Sequence, residues 1–280
     1  MERQKMDISC LPGGSQQQLE WQYEEHRILE TAMEAGHILL ENGAEIFRVE
    51  ETMTRICHHF GVDSGNFFVL SNGIFTTGGQ GPQGQYAKVK HIPVKGAQLD
   101  KVVAVNQLSR EIEEGRYTIE EVQRCLEDIR HMPVKRPAMQ VLASAVGSAA
   151  FCMLFGGSLR DSVVAFLAGL LLHMFILKVS VPSGMSKIIG NICGGALVTM
   201  VCILGVNLGV GENLSHMISG SIIPLVPGVA FTNGIRDIAD GDYISGAVRL
   251  LDAILVFLCI AIGVGLMFTI YQRVMGGVMP

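Results

Sequence analysis

Five long runs without a charged side chain occupy the second half of the chain, and they limit its fold more than any other feature. A helix needs roughly 20 mostly apolar residues to cross a bilayer. The runs cover residues 137–159, 162–177, 188–211, 213–235 and 253–272. The second run is shorter than the others, but Asp161 and Lys178 at its ends can place their charges at the membrane interface. The pattern therefore predicts five membrane helices, at about 138–158, 161–178, 188–209, 214–234 and 250–271.

The charged side chains are concentrated in the first part of the chain. Residues 1–136 hold 15 basic and 20 acidic side chains, whereas residues 137–280 hold 6 of each, so the net charge of −5 lies on the first part. This partition predicts a soluble domain joined through a linker at 133–137 to a membrane domain over 138–280. The chain has no basic excess, which argues against nucleic acid as a partner. Its polar N-terminus lacks the apolar core of a signal peptide, so we expect the soluble domain in the cytosol.

Within the soluble part, turn residues separate segments of helical and of alternating pattern. We expect a disordered tail over residues 1–18 and an α+β domain over 19–132. Asn42-Gly43 predicts the end of the first helix, and Ser71-Asn72-Gly73 predicts a hairpin between two short strands. Glycines at 78, 79, 81 and 84 mark a loop before a third strand over 86–93. Helices are expected over 99–114 and from Thr118, where a capping box with Glu121 is expected, to near residue 132.

Basic residues that flank the membrane runs predict the orientation. Cytosolic flanks generally carry the excess of Lys and Arg. If the N-terminus is inside, the inner flanks hold Lys135, Arg136, Lys178, Lys187, Arg236 and Arg249, and the outer flanks hold Arg160 and Arg273. The fold class expected is thus a multi-pass α-helical membrane protein of the plasma (inner) membrane, surrounded by lipid. Its N-terminal α+β domain lies in the cytoplasm and its C-terminus lies outside.

The fourth run is interrupted by prolines and then followed by polar residues. Unwound backbone inside a membrane helix is where many secondary transporters hold their substrate. A kink that only improves packing is the alternative, because Pro and Gly are common in membrane helices. The candidate substrate-binding residues are Pro224, Pro227, Gly228, Thr232, Asn233, Arg236 and Asp237. Of these, Arg236 can bind a carboxylate through two parallel hydrogen bonds.

Two motifs in the chain resemble those of the threonine/serine exporter family. The first is ENGAEIFRVEETMTRIC in the N-terminal domain, and the second is PLVPGVAFTNGIRD followed by GDYISGAVRLLDA. The resemblance covers the chain from about residue 25 to its end and implies a transporter subunit without a cofactor, not an enzyme. It implies proton-coupled export of threonine or serine first, and of a dicarboxylate such as succinate second. Full-length members have about twice as many membrane helices, so the chain is similar to the split form, which works with a second five-helix subunit.

Several further residues have both a possible role in transport or catalysis and a purely structural explanation. Asp252, Arg249 and His173 could couple transport to protons, or form an ion pair or a hydrogen bond to the backbone. Within the N-terminal motif, Glu45 and its neighbours could be a catalytic carboxylate set or a solvated helix surface. The residues of that motif singled out by the resemblance are Gly43, Ala44, Glu45, Arg48, Glu50 and Glu51.

Two other classes of function remain open. One is a membrane-anchored hydrolase, although the chain has no GxSxG nucleophile elbow and no Walker motif. The other is a ligand-sensing module that acts through the N-terminal domain. No metal is expected, because the adjacent His58 and His59 point in different directions on a helix and lack a second ligand pair. A homo-oligomer is compatible with the sequence.

Overall fold

The computed structural model describes residues 13–63, 65–78, 86–93, 96–133 and 135–275. The N-terminal elements are α1 (Gly13–Glu41), α2 (Ile46–His59), β1 (Asn66–Leu70), β2 (Gly73–Gly78), β3 (Tyr86–His91), α3 (Leu99–Glu113) and α4 (Ile119–Arg130). The later helices are α5 (Pro137–Leu154), α6 (Leu159–Phe175), α7 (Lys187–Asn207), α8 (Leu214–Ile222), α9 (Gly228–Ala239) and α10 (Tyr243–Met275). A π-helical turn, Ile176–Ser180, follows α6, and a 3-10 turn, Ile223–Leu225, follows α8.

The chain divides into two compact units. The first unit contains Met1–Met132 and Thr232–Arg249, and the second contains Pro133–Phe231 and Leu250–Pro280. One border falls at the linker predicted from the sequence. The segment 232–249 was expected in the membrane domain, yet it packs with the N-terminal residues. This difference arises because its polar side chains find their partners there.

The first unit is built on an apolar core between its helices and one face of a small sheet. Helix α2 is strongly amphipathic, and it buries Ile46, Val49, Met53 and Ile56 on one face. Helix α1 adds fully buried side chains such as Leu39 to the same cluster. Burial of large aliphatic side chains of this kind is the main free-energy gain of folding.

The three strands form an antiparallel sheet in the order β1-β2-β3. The hairpin predicted around residues 71–73 is confirmed, because Leu70 pairs with Gly73 across the turn. Val69 and Ile74 face the core, whereas Phe68, Phe75 and Val89 lie side by side on the other face and are exposed. Helix α4 begins with the expected capping box, in which the backbone N–H of Thr118 donates to Glu121.

The N-terminal region is more helical than the sequence suggested. Helix α1 begins at Gly13, so residues 13–18 are helical where a disordered tail was expected. Glutamine is a good helix former, and three consecutive glutamines extend the first turns of the helix. The remainder of the predicted tail, residues 1–12, and the glycine loop at 79–85 lie outside the described residues.

The second unit contains the candidate membrane spans. Four helices of the described chain are long and apolar enough to cross a bilayer: Pro137–Leu154, Leu159–Ser180, Lys187–Asn207 and Tyr243–Val274. Two shorter segments, Leu214–Leu225 and Gly228–Ala239, pass the same test together and make a fifth span if the bent pair is counted as one. The predicted fold class, a multi-pass helical membrane protein with an N-terminal region that contains a small sheet, is confirmed.

Glycines allow close helix packing in the second unit. A Cβ at position 220 of α8 would lie only 2.5 Å from the backbone nitrogen of Cys152 on α5. A Cβ at position 195 of α7 would lie 2.8 Å from the carbonyl oxygen of Ile260 on α10. Small residues at helix contacts are typical of membrane bundles, where dispersion between close backbones replaces the hydrophobic driving force.

Asp161 organises one end of the second unit, although the sequence suggested only an interfacial charge. Its carboxylate is fully buried and completes a capping box with Ser158 at the start of α6. The backbone N–H groups of Glu212 and Asn213, which precede α8, donate to the same side chain at 2.7 and 3.0 Å. One carboxylate thus satisfies free donors at two helix starts.

We expect Asp161→Ala to lower the free energy of unfolding by about 2–4 kcal/mol, because several buried N–H groups lose their acceptor. The measurement is thermal unfolding of the purified full chain in detergent. Arg160→Ala is the matched control, since Arg160 is the exposed neighbour of Asp161 and pairs with Glu212, which is also exposed. Equal melting temperatures for the two variants would contradict this role.

Glu34 is the centre of a charged cluster on α1 in the first unit. Its carboxylate lies 2.9 Å from the ammonium of Lys90 and 2.7 Å from the guanidinium of Arg130. The hydrogen bond with His37, together with these two cations, lowers the pKa of Glu34 to about 2, even though burial opposes the shift. A carboxyl group with a lowered folded-state pKa stabilises the fold above its unfolded pKa.

This stabilisation should be lost as the pH falls from about 4.5 toward 2. We expect wild-type protein to lose about 1–3 kcal/mol of stability from this group over that window. Glu34→Gln should be less stable than wild type at pH 6 and should lack this part of the acid dependence. The measurement is unfolding of the first unit within the full chain, followed at several pH values. Parallel pH profiles for wild type and variant would contradict the prediction.

Candidate functional site

The break between α8 and α9 lies where the sequence placed it. Pro224 lies in the 3-10 turn that ends α8, and Val226 is extended with a ψ of 124°. Pro227 then precedes Gly228, the first residue of α9. Proline removes a backbone donor and disfavours helical geometry at the residue before it, which explains the extended Val226. The helix axis bends by 68° at this point, so the backbone leaves the helical hydrogen-bonding pattern there.

A second feature lies in the first unit, at the turn between α1 and α2. Gly43 adopts a φ of +83°, which ends α1 and which side chains other than glycine rarely adopt. The N–H groups of Gly43 and Ala44 turn back to the carbonyls of Leu40 and Leu39. The carbonyls of Gly43 and Ala44 and the first N–H of α2, on Ile46, therefore remain available for other partners.

The partners of this turn come from the segment 232–249. The amide of Asn233 donates to the carbonyl of Gly43 at 2.7 Å, and the guanidinium of Arg249 donates to the carbonyl of Ala44 at 2.9 Å. The N–H of Ile46 donates to the carboxylate of Asp237 at 3.1 Å. We call these three contacts the clamp. A carboxylate at a helix N-terminus also interacts favourably with the helix dipole.

An ion pair connects two of the side chains in the clamp. The carboxylate of Asp237 and the guanidinium of Arg249 lie 2.9 Å apart, with exposed side-chain fractions of 1% and 10%. Two charges this deeply buried have lost most of their hydration, so each depends on the other and on its hydrogen bonds to the backbone. Removal of one partner alone would leave an uncompensated buried charge.

Arg236 lies beside the clamp in a more open position. Its guanidinium pairs with the carboxylate of Glu45, the residue that precedes α2. The Arg236 side chain is 55% exposed, whereas that of Glu45 is only 17% exposed. Arg236 can therefore reach solvent while it contacts the first motif, and another carboxylate could compete with Glu45 for its two donor edges.

The remaining charged residues of the first motif do not join the clamp. Glu50 accepts a hydrogen bond from the N–H of Val69 at 3.0 Å. Burial raises the pKa of Glu50 and the negative charge of Asp242 adds to the shift, although the bond from Val69 opposes it. Glu51 pairs with Arg55 at 2.9 Å and with Arg48 at 3.6 Å.

A cleft of 800 Å³ runs along the outer face of α2 in the first unit. It is lined by Phe47, Glu50, Glu51, Thr54, Arg55, His58, His59 and Glu113. Within the part of the chain that the structure describes, no group of three or more His, Cys, Asp or Glu side chains could hold a metal ion. The three acidic side chains of the cleft are divided between a backbone contact and ion pairs.

The coupling candidates have separate partners. Asp252 on α10 forms an ion pair with Lys187 of α7, with the two charged groups 2.5 Å apart. Arg249 pairs with Asp237 instead. The ring of His173 on α6 lies 3.4 Å from the side-chain oxygen of Gln140 on α5.

Most of the predicted polar residues are therefore divided among separate places, but the two sequence motifs meet. Asn233, Arg236 and Asp237 from the second motif contact the turn from Gly43 to Ile46 in the first, about 190 positions away in sequence. Sequence reasoning missed the N–H of Ile46 and the partner Lys187. The first could have been found from the free donors of a helix start, whereas Lys187 had been considered only as a flanking charge.

These features define a multi-pass membrane protein with a broken helix, the architecture of many secondary transporters. Residues 30–271 match the family described as "Putative threonine/serine exporter". The match covers most of the chain, and the chain belongs to this family. It is thus a member of a transporter family, as the two motifs suggested.

A curated relative supports the same class. The chain is 27% identical over 252 residues to a protein from Klebsiella aerogenes that is named "Probable succinate transporter subunit YjjP". The similarity covers 89% of this chain and 95% of the relative. No solved structure matches the chain.

The buried pair should respond differently to single and double substitution. We expect Asp237→Ala to lower the free energy of unfolding by about 1–2 kcal/mol, because the Ile46 N–H and the Arg249 guanidinium both lose an acceptor. Arg249→Met should have an effect of similar size. The double variant should be more stable than the sum of the two effects implies, because no uncompensated charge remains.

The measurement is a double-mutant cycle on thermal or denaturant unfolding of the full chain in detergent. Asp240→Ala is the matched control, since Asp240 is exposed at the end of the same helix. Additive single effects would show that the two charges do not depend on each other.

Proposed function

We propose that the chain is one subunit of a secondary transporter that exports small carboxylate-bearing metabolites. The observation that carries this proposal is the bent break at Pro224–Gly228, followed within three helical turns by Asn233 and Arg236. A break frees backbone groups, and the guanidinium that follows can bind a carboxylate through two parallel hydrogen bonds. Membership of the exporter family supports the same function.

Threonine, serine and succinate are the candidate substrates. All three carry a carboxylate for Arg236, and the family description names the first two. The curated relative is named for succinate, which has a second carboxylate. A dicarboxylate would need another hydrogen-bond donor besides Arg236.

In this mechanism the substrate carboxylate replaces Glu45 as the partner of Arg236. The ion pair with Glu45 then has a defined role, because it keeps the guanidinium oriented and partly desolvated until the substrate arrives. An exposed pair of this kind contributes little to stability, so its exchange for a substrate requires little free energy. Thr232 lies on the same helix as Arg236, and we place it beside the substrate path, whereas Asp237 is held in the buried pair with Arg249.

A second, short membrane subunit with five helices would complete the path. The relative is named a subunit, which supports a partner for this chain as well. We place the N-terminal domain in the cytoplasm and the C-terminus on the outer side of the plasma membrane. An odd number of spans in each subunit would then give two halves of inverted topology, which is a common plan for secondary transporters.

Protons are the proposed driving ion. Among the charged side chains on the membrane helices, Asp252 is the candidate proton carrier, with Lys187 as its partner. Protonation of Asp252 would release Lys187, which could then contact another negative charge during the transport cycle.

The experiment measures efflux of labelled threonine, serine and succinate from cells that lack their own exporters. The chain is expressed alone, and then with a second five-span subunit. We expect efflux of at least one substrate only when both subunits are present. Arg236→Ala in the pair should lower the rate at least tenfold, because the carboxylate loses a charge-assisted bidentate contact. Arg236→Lys should keep part of the rate, since a point charge remains without the planar fork.

Asp240→Asn is the matched control for these variants, because it removes an exposed charge one turn from Arg236. All variants must reach the membrane in equal amounts. Efflux that is equally fast with Arg236→Ala would remove Arg236 from the mechanism. No efflux of any of the three substrates from a folded pair would contradict the proposed function itself.

A further inference from the structure

The segment 232–249 forms a compact helical hairpin. Its turn is made by Gly241, with a φ of +98°, and by the N–H of Asp242, which donates to the carbonyl of Asp237 at 2.8 Å. Gly246 on α10 packs against α9, since a Cβ at this position would lie 2.7 Å from the carbonyl oxygen of Gly234. With no side chain between them, the two helix ends are held closely enough to move as one body.

The hairpin is attached to the rest of the first unit by polar contacts. Its buried residues are Gly234, Asp237, Ser245 and Gly246, and none of them has a large apolar side chain. The apolar core that the structure describes in this unit is formed by side chains between Ile28 and Ile129, without any from the hairpin. Four of its five larger apolar residues, Ile235, Tyr243, Ile244 and Val248, are each at least half exposed. The fifth, Ile238, is partly buried and packs against Gly246 within the hairpin itself.

Attachment through polar groups alone has a physical consequence. Hydrogen bonds and ion pairs exchange with water contacts, so their net gain on docking is much smaller than their strength in isolation. Buried apolar area, which usually makes docking permanent, is lacking at this contact. The hairpin is therefore held in a defined orientation, because the clamp is directional, but it can separate without exposing a hydrophobic core.

The clamp is also connected to the helix break. Helix α9 runs without interruption from Gly228, at the break, to Ala239, beyond Asp237. Asn233 and Asp237 are four residues apart and so lie on one face of this helix. At a rise of 1.5 Å per residue, Asp237 is about 14 Å along the helix from Gly228, and a helix of this length transmits a rotation at one end to the other.

We propose that the hairpin is a detachable element and that closure of the clamp fixes the geometry of the break at residues 223–228. Asn233, Asp237 and Arg249 are then positioning residues, which act on the break through α9 and do not contact the substrate. This inference deepens the proposed function, because it assigns control of the broken helix to the turn from Gly43 to Ile46. It departs from the sequence-based expectation that Asn233 and Asp237 bind substrate.

The test is hydrogen–deuterium exchange of the full chain, purified and placed in lipid nanodiscs. The variants are Asp237→Asn, which keeps an acceptor for the Ile46 N–H but removes the charge, and the milder Asn233→Ala. Asp240→Asn is the matched control. We expect exchange on the order of tenfold faster in peptides that cover 43–47, 223–231 and 232–242, with unchanged exchange over 28–40 in the core of the first unit.

Three results would overturn the proposal. Exchange could remain unchanged in both variants, it could rise over 43–47 without any change over 223–231, or it could rise throughout the first unit, including 28–40. Unchanged exchange in both variants would show that the clamp does not hold the hairpin. A rise over 43–47 alone would show that the clamp is not coupled to the break. A rise throughout the first unit would show that the clamp is simply part of the folded core. If Asp237→Asn does not fold, the exchange rates of Asn233→Ala alone test the proposal.

A second test measures the rate of succinate efflux from cells that express both subunits. A positioning role predicts that Asn233→Ala lowers the maximal rate at least threefold while the KM for succinate changes less than twofold, because substrate contacts are intact. A raised KM with an unchanged maximal rate would make Asn233 a substrate ligand and overturn the positioning role. If the wild-type pair exports no succinate, threonine or serine, the proposed function fails, and the exchange measurement still decides whether the clamp controls the break.

Discussion

The buried carboxylate of Asp237 is the interaction on which the site depends. It accepts the N–H of Ile46 at the start of α2 and pairs with Arg249 on α10, so a single side chain joins three helices of the first unit. Without it, the helix start would keep a free donor and Arg249 would keep a buried charge. The clamp explains why two motifs so distant in sequence occur in one chain: one supplies backbone groups, and the other supplies the side chains that bind them.

Helices, strands and turns could be predicted from the sequence wherever short-range patterns of residues determine them. The buried face of α2, the hairpin at residues 71–73, the capping box at Thr118 and the break at the prolines all follow from short-range patterns of polarity and backbone restriction. The helical start of α1 at Gly13 was missed, because a short polar stretch with glycines and glutamines is compatible with helix or coil. Tertiary context, rather than propensity, decides such cases.

The candidate site was predicted in its residues but not in its arrangement. Asn233, Arg236, Asp237 and Arg249 were all singled out. The first three were expected to bind a substrate, and Arg249 was expected to couple transport or form an ion pair, so none was expected to contact the turn at Gly43. Periodicity indicates which residues share a helix face, but it does not indicate which distant backbone groups will be free to meet them. The carbonyls of Gly43 and Ala44 are available because α1 ends in a left-handed glycine, so the clamp depends on a local backbone conformation that periodicity does not reveal.

The first unit consists of two stretches that are far apart in the chain, and this affects the order in which it can fold during synthesis. Its helices and sheet lie within the first 132 residues, but its last piece is residues 232–249. During synthesis the N-terminal part leaves the ribosome first and can form its apolar core, since domains generally fold as they emerge. It cannot complete the turn at Gly43–Ile46 until α5 to α8 have been synthesised. The final contact of the first unit to form therefore waits until four further helices have been made, so a unit whose apolar core can form early is completed only late in synthesis.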